Sequence, residues 1–250
     1  MNVWQALLVL VAGIWAGAIN TVVGSGTLIT FPVLLGVGLP PVTANVSNTV
    51  GLFPGSFVGA YGYRRELVGQ GRRAFVLGTA SVIGAVVGAV LLLQLPAGAF
   101  KAIVPVLIVL ALLLVVFGKQ VTGWLAARGR GATEHTTVAL WVTTLGTGVY
   151  GGYFGAAQGV LLMGFLGLFL AESLQRQNAL KNVLAGFVNL VAAIVFVATT
   201  HIDWTAAALI AGGSIIGGVV GAHIGRRLSP AVLRATIVVV GIAAIVKLLL

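Results

Sequence analysis

Two glycine-rich breaks, two clusters of carboxamides and one lysine are the features of this 250-residue sequence whose types and spacing could do chemistry. The breaks read Val23-Gly24-Ser25-Gly26-Thr27 and Phe154-Gly155-Ala156-Ala157-Gln158-Gly159. Each follows a long apolar stretch and opens a shorter one, about residues 27–38 and 157–171. Backbone that leaves helical form inside a bilayer must line a cavity or be buried in protein. The helix that restarts after such a break offers unpaired N–H groups and the positive end of its dipole, which favour an anion. Two short helices with facing N-termini would make an anion site without a buried arginine. A glycine cluster can also serve only close helix packing, but two clusters at matching places in the chain favour the site.

Polar residues gather around the breaks. Asn20, Thr21, Ser25, Thr27, Thr43, Asn45, Ser47, Asn48 and Thr49 surround the first. Tyr150, Tyr153, Gln158, Gln177, Asn178, Lys181, Asn182 and Asn189 surround the second. Carboxamides in a membrane helix are costly unless hydrogen-bonded. Asn45 and Asn48 share a face at i, i+3, as do Asn178 and Lys181, while Asn178 and Asn182 pair at i, i+4. Such residues can simply bond neighbouring helices. Lys181, about five residues into its apolar segment, is the sharpest single residue, since an ionisable group in a membrane segment marks function by default. A lysine reaching back to the interface is the alternative. The predicted substrate-contacting set is Asn20, Gly24, Ser25, Gly26, Thr27, Asn45, Asn48, Thr49, Tyr153, Gly155, Gln158, Asn178, Lys181 and Asn182.

Other chemistries find little support. Glu66, Glu134, Glu172 and Asp203 all fall in loops or at segment ends, which argues against a carboxylate proton relay or cation site. The chain has no cysteine and only three histidines without metal-ligand spacing, so no metal, cofactor or catalytic residue is expected. Hydrolase, P-loop and dinucleotide fingerprints do not occur.

The elements that must carry these residues are read from composition. Apolar residues make up 59% and charged residues 7%, against about 25% charged in a soluble domain; mean hydropathy is +1.13. A spanning helix needs about 20 apolar residues. The sequence predicts an all-α polytopic membrane protein with eight long segments, at about 3–22, 43–62, 74–95, 99–118, 136–153, 176–200, 203–222 and 229–250, besides the two short half-helices. The net charge of +10 reflects short basic clusters between apolar runs, a topology signal rather than a nucleic-acid surface. The start, Met1-Asn2-Val3-Trp4, lacks the basic region of a signal peptide, so the first segment is expected to stay.

The order long, break, short, long, long, long occurs twice. This predicts two repeats, residues 1–118 and 136–250, joined by a cytoplasmic linker at 119–135. Gly24-Ser25-Gly26 matches Gly155-Ala156-Ala157, and Asn48-Thr49 is matched with Asn182-Val183. Weak internal symmetry of this kind marks secondary transporters. If the halves are inverted, every Lys and Arg except Lys101 and Lys247 lies at or near the cytoplasmic side and both termini face outward. Parallel halves would move Arg176, Lys181, Arg226, Arg227 and Arg234 outside, so the positive-inside rule prefers inversion.

The first break with Phe31-Pro32-Val33-Leu34 and Ala44-Asn45-Val46-Ser47-Asn48-Thr49 resembles the first repeat of the sulfite exporter TauE/SafE family. Gly152-Tyr153-Phe154-Gly155, Gln158-Gly159 and Asn178-Ala179-Leu180-Lys181-Asn182 resemble the second, and the likeness covers nearly the whole chain. Gly26-Thr27-Leu28 and Ala157-Gln158-Gly159 stand where the family usually carries a glycine run. The resemblance implies transport of sulfite, sulfonates, sulfoacetate or related small anions. The expectation is therefore a secondary transporter in the bacterial cytoplasmic membrane. Its partners are a small anion and the lipid bilayer, with no nucleic acid, and a homo-oligomer is left open. An anion channel lined by opposed half-helices, or a structural membrane subunit, is the rival reading.

Overall fold

The computed structural model describes residues 1–128 and 136–224, with residues 238, 239 and 242 beyond. All regular structure among them is helical. The order is α1 (Val3–Val22), α2 (Thr27–Gly36), α3 (Pro41–Gly62), α4 (Gly71–Gln94), α5 (Ala97–Arg128), α6 (Val138–Tyr153), α7 (Gln158–Phe169), α8 (Leu174–Thr199) and α9 (Trp204–Ile224). Side-chain oxygens start several of them by accepting first-turn amides. Asn2 and Gln5 form a reciprocal capping box on α1, Thr137 caps Leu140 N, and Asp203 caps Ala206 N at 2.9 Å. Pro41 opens α3, where its missing N–H costs nothing.

Five of these helices, α1, α4, α5, α8 and α9, are long and apolar enough to cross a membrane, against the eight spans expected from sequence. The expected seventh long segment is α9, and the eighth, 229–250, lies outside the described residues. Two further long segments fall short for different reasons. α6 has 16 residues, because Thr137 caps it and it starts at Val138 rather than 136. α3 has 22 residues, but they include the polar stretch Asn45 to Thr49, all buried. The linker expected at 119–135 differs at its start: α5 stays helical through Arg128.

Helices pair across the two halves of the chain. α1 lies along α9, α4 along α6, and α3 crosses both α9 and α8. The first two seams are built from glycines four apart. A Cβ on Gly217 would sit 1.9 Å from Ile14 O, and one on Gly88 would sit 2.0 Å from Val149 O. Gly13 and Gly17 face Gly213 and Ser214, while Gly148 and Gly152 face Gly84 and Ala85. Lipid gives no hydrophobic drive for helix association, so backbone approach and dispersion must supply it. Apolar side chains point outward: Val11, Phe75 and Val142 are all more than half exposed, as contact with hydrocarbon permits.

The segments joining α3 to α4 and α7 to α8 meet on one face. Arg73 Nη1 lies 2.8 Å from Glu172 Oε1, and Arg176 Nε lies 2.6 Å from Glu172 Oε2. Arg176 Nη1 donates to Val68 O, and Gln70 Nε2 donates to Arg176 O. α3 thus ends on the face where α8 begins. At the other end, Asp203 N donates to Ser47 Oγ, tying the α8–α9 turn to the first half of α3. The two helices run in opposite directions. Arg64, Arg65 and Arg72 lie in or beside the same connecting segments as the Arg73–Glu172–Arg176 cluster, and the positive-inside rule predicts a cytoplasmic position for this face. The chain has no native cysteine, so Val68→Cys should react with an impermeant maleimide only from the cytoplasmic side. His201→Cys should react from outside intact cells. External labelling at residue 68 would overturn this orientation.

Partial burial alone would raise the Glu172 carboxyl, but hydrogen bonds from Arg73 and Arg176 outweigh it and hold the group below the usual carboxylate range. A depressed carboxyl contributes stability above its unfolded value and loses it as pH falls through the folded one. Glu172→Gln should therefore lower the melting point at neutral pH, by no more than about 1 kcal/mol of stability for so shallow a cluster. The gap from wild type should close on acidification below the carboxylate range.

Candidate functional site

The two breaks share one backbone design. Val23 N and Gly24 N both return to Ile19 O, and Phe154 N and Gly155 N both return to Tyr150 O. Gly24 (φ +86) and Gly155 (φ +75) adopt the left-handed conformation that L side chains avoid. The short helix restarts three residues after each, at Thr27 and at Gln158.

The breaks cross each other. Gly159 N donates to Gly24 O at 2.9 Å, and a Cβ built on Gly24 would lie 2.3 Å from Gly159 Cα. Most first-turn amides of the two short helices are bonded here. Gln158 N, Val160 N and Leu161 N return to the carbonyls of Gly155 and Ala157; Leu28 N, Ile29 N and Thr30 N return to those of Ser25 and Gly26. Each break turns its own carbonyls onto these amides and leaves Thr27 N without a hydrogen-bond partner among the described residues.

The end of each broken helix is held by the opposite half. Asn45 Nδ2, from α3, donates to Tyr153 O at the end of α6. Asn178 Nδ2 and Asn182 Nδ2, from α8, both donate to Thr21 O near the end of α1, each at 3.2 Å. Lys181 is fully buried, and its Nζ reaches Asn20 O at 2.9 Å and Thr21 O at 3.1 Å. It therefore does not run to the interface. Its ammonium sits on carbonyls at the negative end of the α1 dipole. The described carboxylates, Glu66, Glu172 and Asp203, all lie in connecting segments.

Counted from their helix starts, Asn45 and Asn178 are equivalent, Asn48 is equivalent to Lys181, and Thr49 to Asn182. This shifts by one residue the match of Asn48-Thr49 to Asn182-Val183. The Lys181 counterpart behaves differently. Asn48 stays within its own half, donating to Thr27 Oγ1 and accepting from Thr30 Oγ1. Thr49 Oγ1 bonds back to Asn45 O within α3. Asn20 Nδ2 and Asn189 Nδ2 both donate to Ser56 Oγ, joining α1, α3 and α8. Gly26 lies where a Cβ would come 2.7 Å from Ala16 O.

Five predicted site residues carry a buried polar atom without a partner among the described residues: Ser25 Oγ, Asn45 Oδ1, Tyr153 OH, Gln158 Nε2 and Asn178 Oδ1. Buried polar atoms are satisfied in the great majority of cases, so each exception is a candidate ligand contact; Ser81 Oγ and Thr144 Oγ1, outside the predicted set, are unpartnered too. Tyr153 also meets Phe100 edge to face, with centroids 5.8 Å apart. Sequence reasoning missed Thr30 and Ser56. Thr30 could have been found from its i, i+3 spacing to Thr27; Ser56 stands alone among apolar and glycine residues and gave no signal.

The model of one family, described as sulfite exporter TauE/SafE, matches residues 9–248. The chain belongs to the sulfite exporter TauE/SafE family. A "probable membrane transporter protein ORF9" of Sinorhizobium sp is 30% identical over 245 residues, covering 96% of this chain and 90% of that one. A "probable membrane transporter protein" of Haemophilus influenzae is 23% identical, covering 94% and 91%. The "probable membrane transporter protein YfcA" of Escherichia coli K12 is 24% identical, covering 94% and 86%. No solved structure matches. As a TauE/SafE protein with five helices fit to span a bilayer, the chain is an integral membrane protein and a membrane transporter.

Proposed function

We propose that this TauE/SafE protein is a secondary transporter of a small anion, with sulfite, a sulfonate or another organosulfur anion as the substrate class and the bacterial cytoplasmic membrane as its location. The site is the crossing of the two breaks. The observation that carries this reading is Lys181, a fully buried lysine whose Nζ rests on backbone carbonyls rather than a carboxylate. Burying a charge costs several kcal/mol even after relaxation, and helix-end carbonyls compensate only in part. The remaining positive field is what an anion would meet. Two of the three ammonium donors rest on carbonyls, and a bound anion would take the third. Ser25, Tyr153 and Gln158 supply further donors.

Alternating access between two inverted halves is supported by the opposed directions of α3 and α8, the identical backbone turns at Ile19–Gly24 and Tyr150–Gly155, and the exchanged clamps of Asn45 and Asn178. Eight spans would follow if α3, α6 and the segment beyond α9 complete the count. Proteoliposomes offered labelled sulfite, sulfonates, sulfate and acetate should accumulate an organosulfur anion with saturable kinetics. Non-saturating flux would favour a channel, and exclusion of every anion would overturn the reading.

A further inference from the structure

We propose that the carbonyl cup at the end of α1 is a monovalent-cation seat that this chain fills with its own Lys181 ammonium, so that the substrate anion moves against a tethered cation rather than a dissolved one. The inference rests on the anion-transport reading and concerns which counter-charge serves it.

The cup is a direct product of the break. In an uninterrupted helix the carbonyls of Asn20 and Thr21 would accept from amides four residues on. The chain leaves helical form at Val23, and Gly24 N turns back to Ile19 O instead. Two consecutive carbonyls are thereby released at the negative end of a helix dipole, buried in protein. Such helix-end carbonyls in broken membrane helices are suited to a small cation. A third oxygen belongs to a residue that caps Thr21 O. Asn178 Oδ1 has no partner among the described residues, and its residue is only 8% exposed. Its orientation is set, because Nδ2 of the same amide is committed to Thr21 O.

The cup is also crowded with donors. Thr21 O receives Asn178 Nδ2, Asn182 Nδ2 and Lys181 Nζ, three donors on an oxygen with two lone pairs. Neutral amides could satisfy that carbonyl alone, so the lysine is not needed as a cap at Thr21 O, whereas at Asn20 O it is the partner. What it adds is a full positive charge, held by a stem that passes the crossing: a Cβ on Gly159 would sit 3.1 Å from Lys181 Cδ. The equivalent position in the first half is Asn48, which carries no charge and bonds within its own half. The cation is thus present once, on one side of a paired architecture, where it gives the substrate path a sign.

Chemical rescue tests this. Lys181→Ala, purified in choline buffer, opens the cup. Ammonium or methylammonium should raise its melting temperature saturably and recover about tenfold in anion affinity. Tetramethylammonium, too large and without N–H donors, should do neither, and wild type should respond to none of them. Lys181→Met keeps the stem volume and serves if the alanine variant does not fold. Indifference of the folded variant to every cation overturns the proposal, as does a wild type whose stability or flux requires sodium or potassium. Wild-type flux in choline against sodium is measurable whatever the variants do, and equality supports the proposal. A wild type that binds no anion, alongside a variant stabilised by ammonium, removes the transport reading and leaves the cation seat.

Discussion

Gly24→Ala and Gly159→Ala are each expected to abolish transport and to destabilise the folded protein more than any other single methyl addition at the breaks. The added Cβ would fall 2.3 Å from Gly159 Cα in the first case and 2.4 Å from Gly24 Cα in the second. Both obstacles are backbone, so neither can swing aside. Overpacking a core typically costs about 1–3 kcal/mol, and at Gly24 the left-handed φ adds about 1–2 kcal/mol. The hydrogen bond from Gly159 N to Gly24 O would be broken as well. Gly38→Ala separates the two effects: it has a φ of +98 but nothing within 4 Å of its Cβ, so it should lose only the conformational part and keep transport. Purified variants compared by thermal unfolding and proteoliposome uptake decide the matter. A Gly159→Ala protein that folds and transports as wild type would show that the crossing does not form.

Lys181→Gln should weaken anion binding by roughly ten- to a hundredfold, since a charge-assisted hydrogen bond is worth about 1.5–3 kcal/mol and each decade takes about 1.4 kcal/mol. Glutamine keeps polarity and most of the length while deleting charge, so the loss measures the electrostatic contribution. Lys181→Arg keeps the charge, but a planar fork does not fit a cup shaped around a point ammonium. It should recover affinity only in part. Because Asn178 and Asn182 continue to hold Thr21 O, the Gln variant should remain folded. An unchanged dissociation constant in that variant would make Lys181 a purely structural clamp.

Much of this was legible in the residues. Gly24 and Gly155 announce the breaks because only glycine takes the left-handed turn there at no cost, and the Asn-rich stretches announce polar contacts that apolar helices have no other reason to carry. The position of Lys181 relative to Asn48 was not legible. α7 carries 12 residues where α2 carries 10, so counting forward from the glycines slips the comparison of the following helices. The crossing at Gly159 was hidden for a different reason. A backbone-to-backbone contact leaves no side chain to read, only a small residue among many. Which first-turn amides the breaks bond internally was not legible, because local 3₁₀-like returns depend on dihedrals that composition does not encode. The extension of α5 through Arg128 escaped because Gly118 to Thr122 interrupts its apolar pattern without breaking its backbone.

The seam between α1 and α9 also has a consequence in time. α1 leaves the ribosome well before α9, the helix whose glycine face it needs. Synthesis from Val22 to Trp204, at about 5–20 residues per second, takes on the order of 10–40 s. Throughout that interval Gly13 and Gly17 have only lipid or the insertion machinery to lie against. A nascent chain that stalls after α8 is complete through both breaks yet still lacks the partner for the glycine face of α1. Membrane quality control should therefore recognise such truncated chains by α1, and adding the missing C-terminal segment as a separate polypeptide should rescue them.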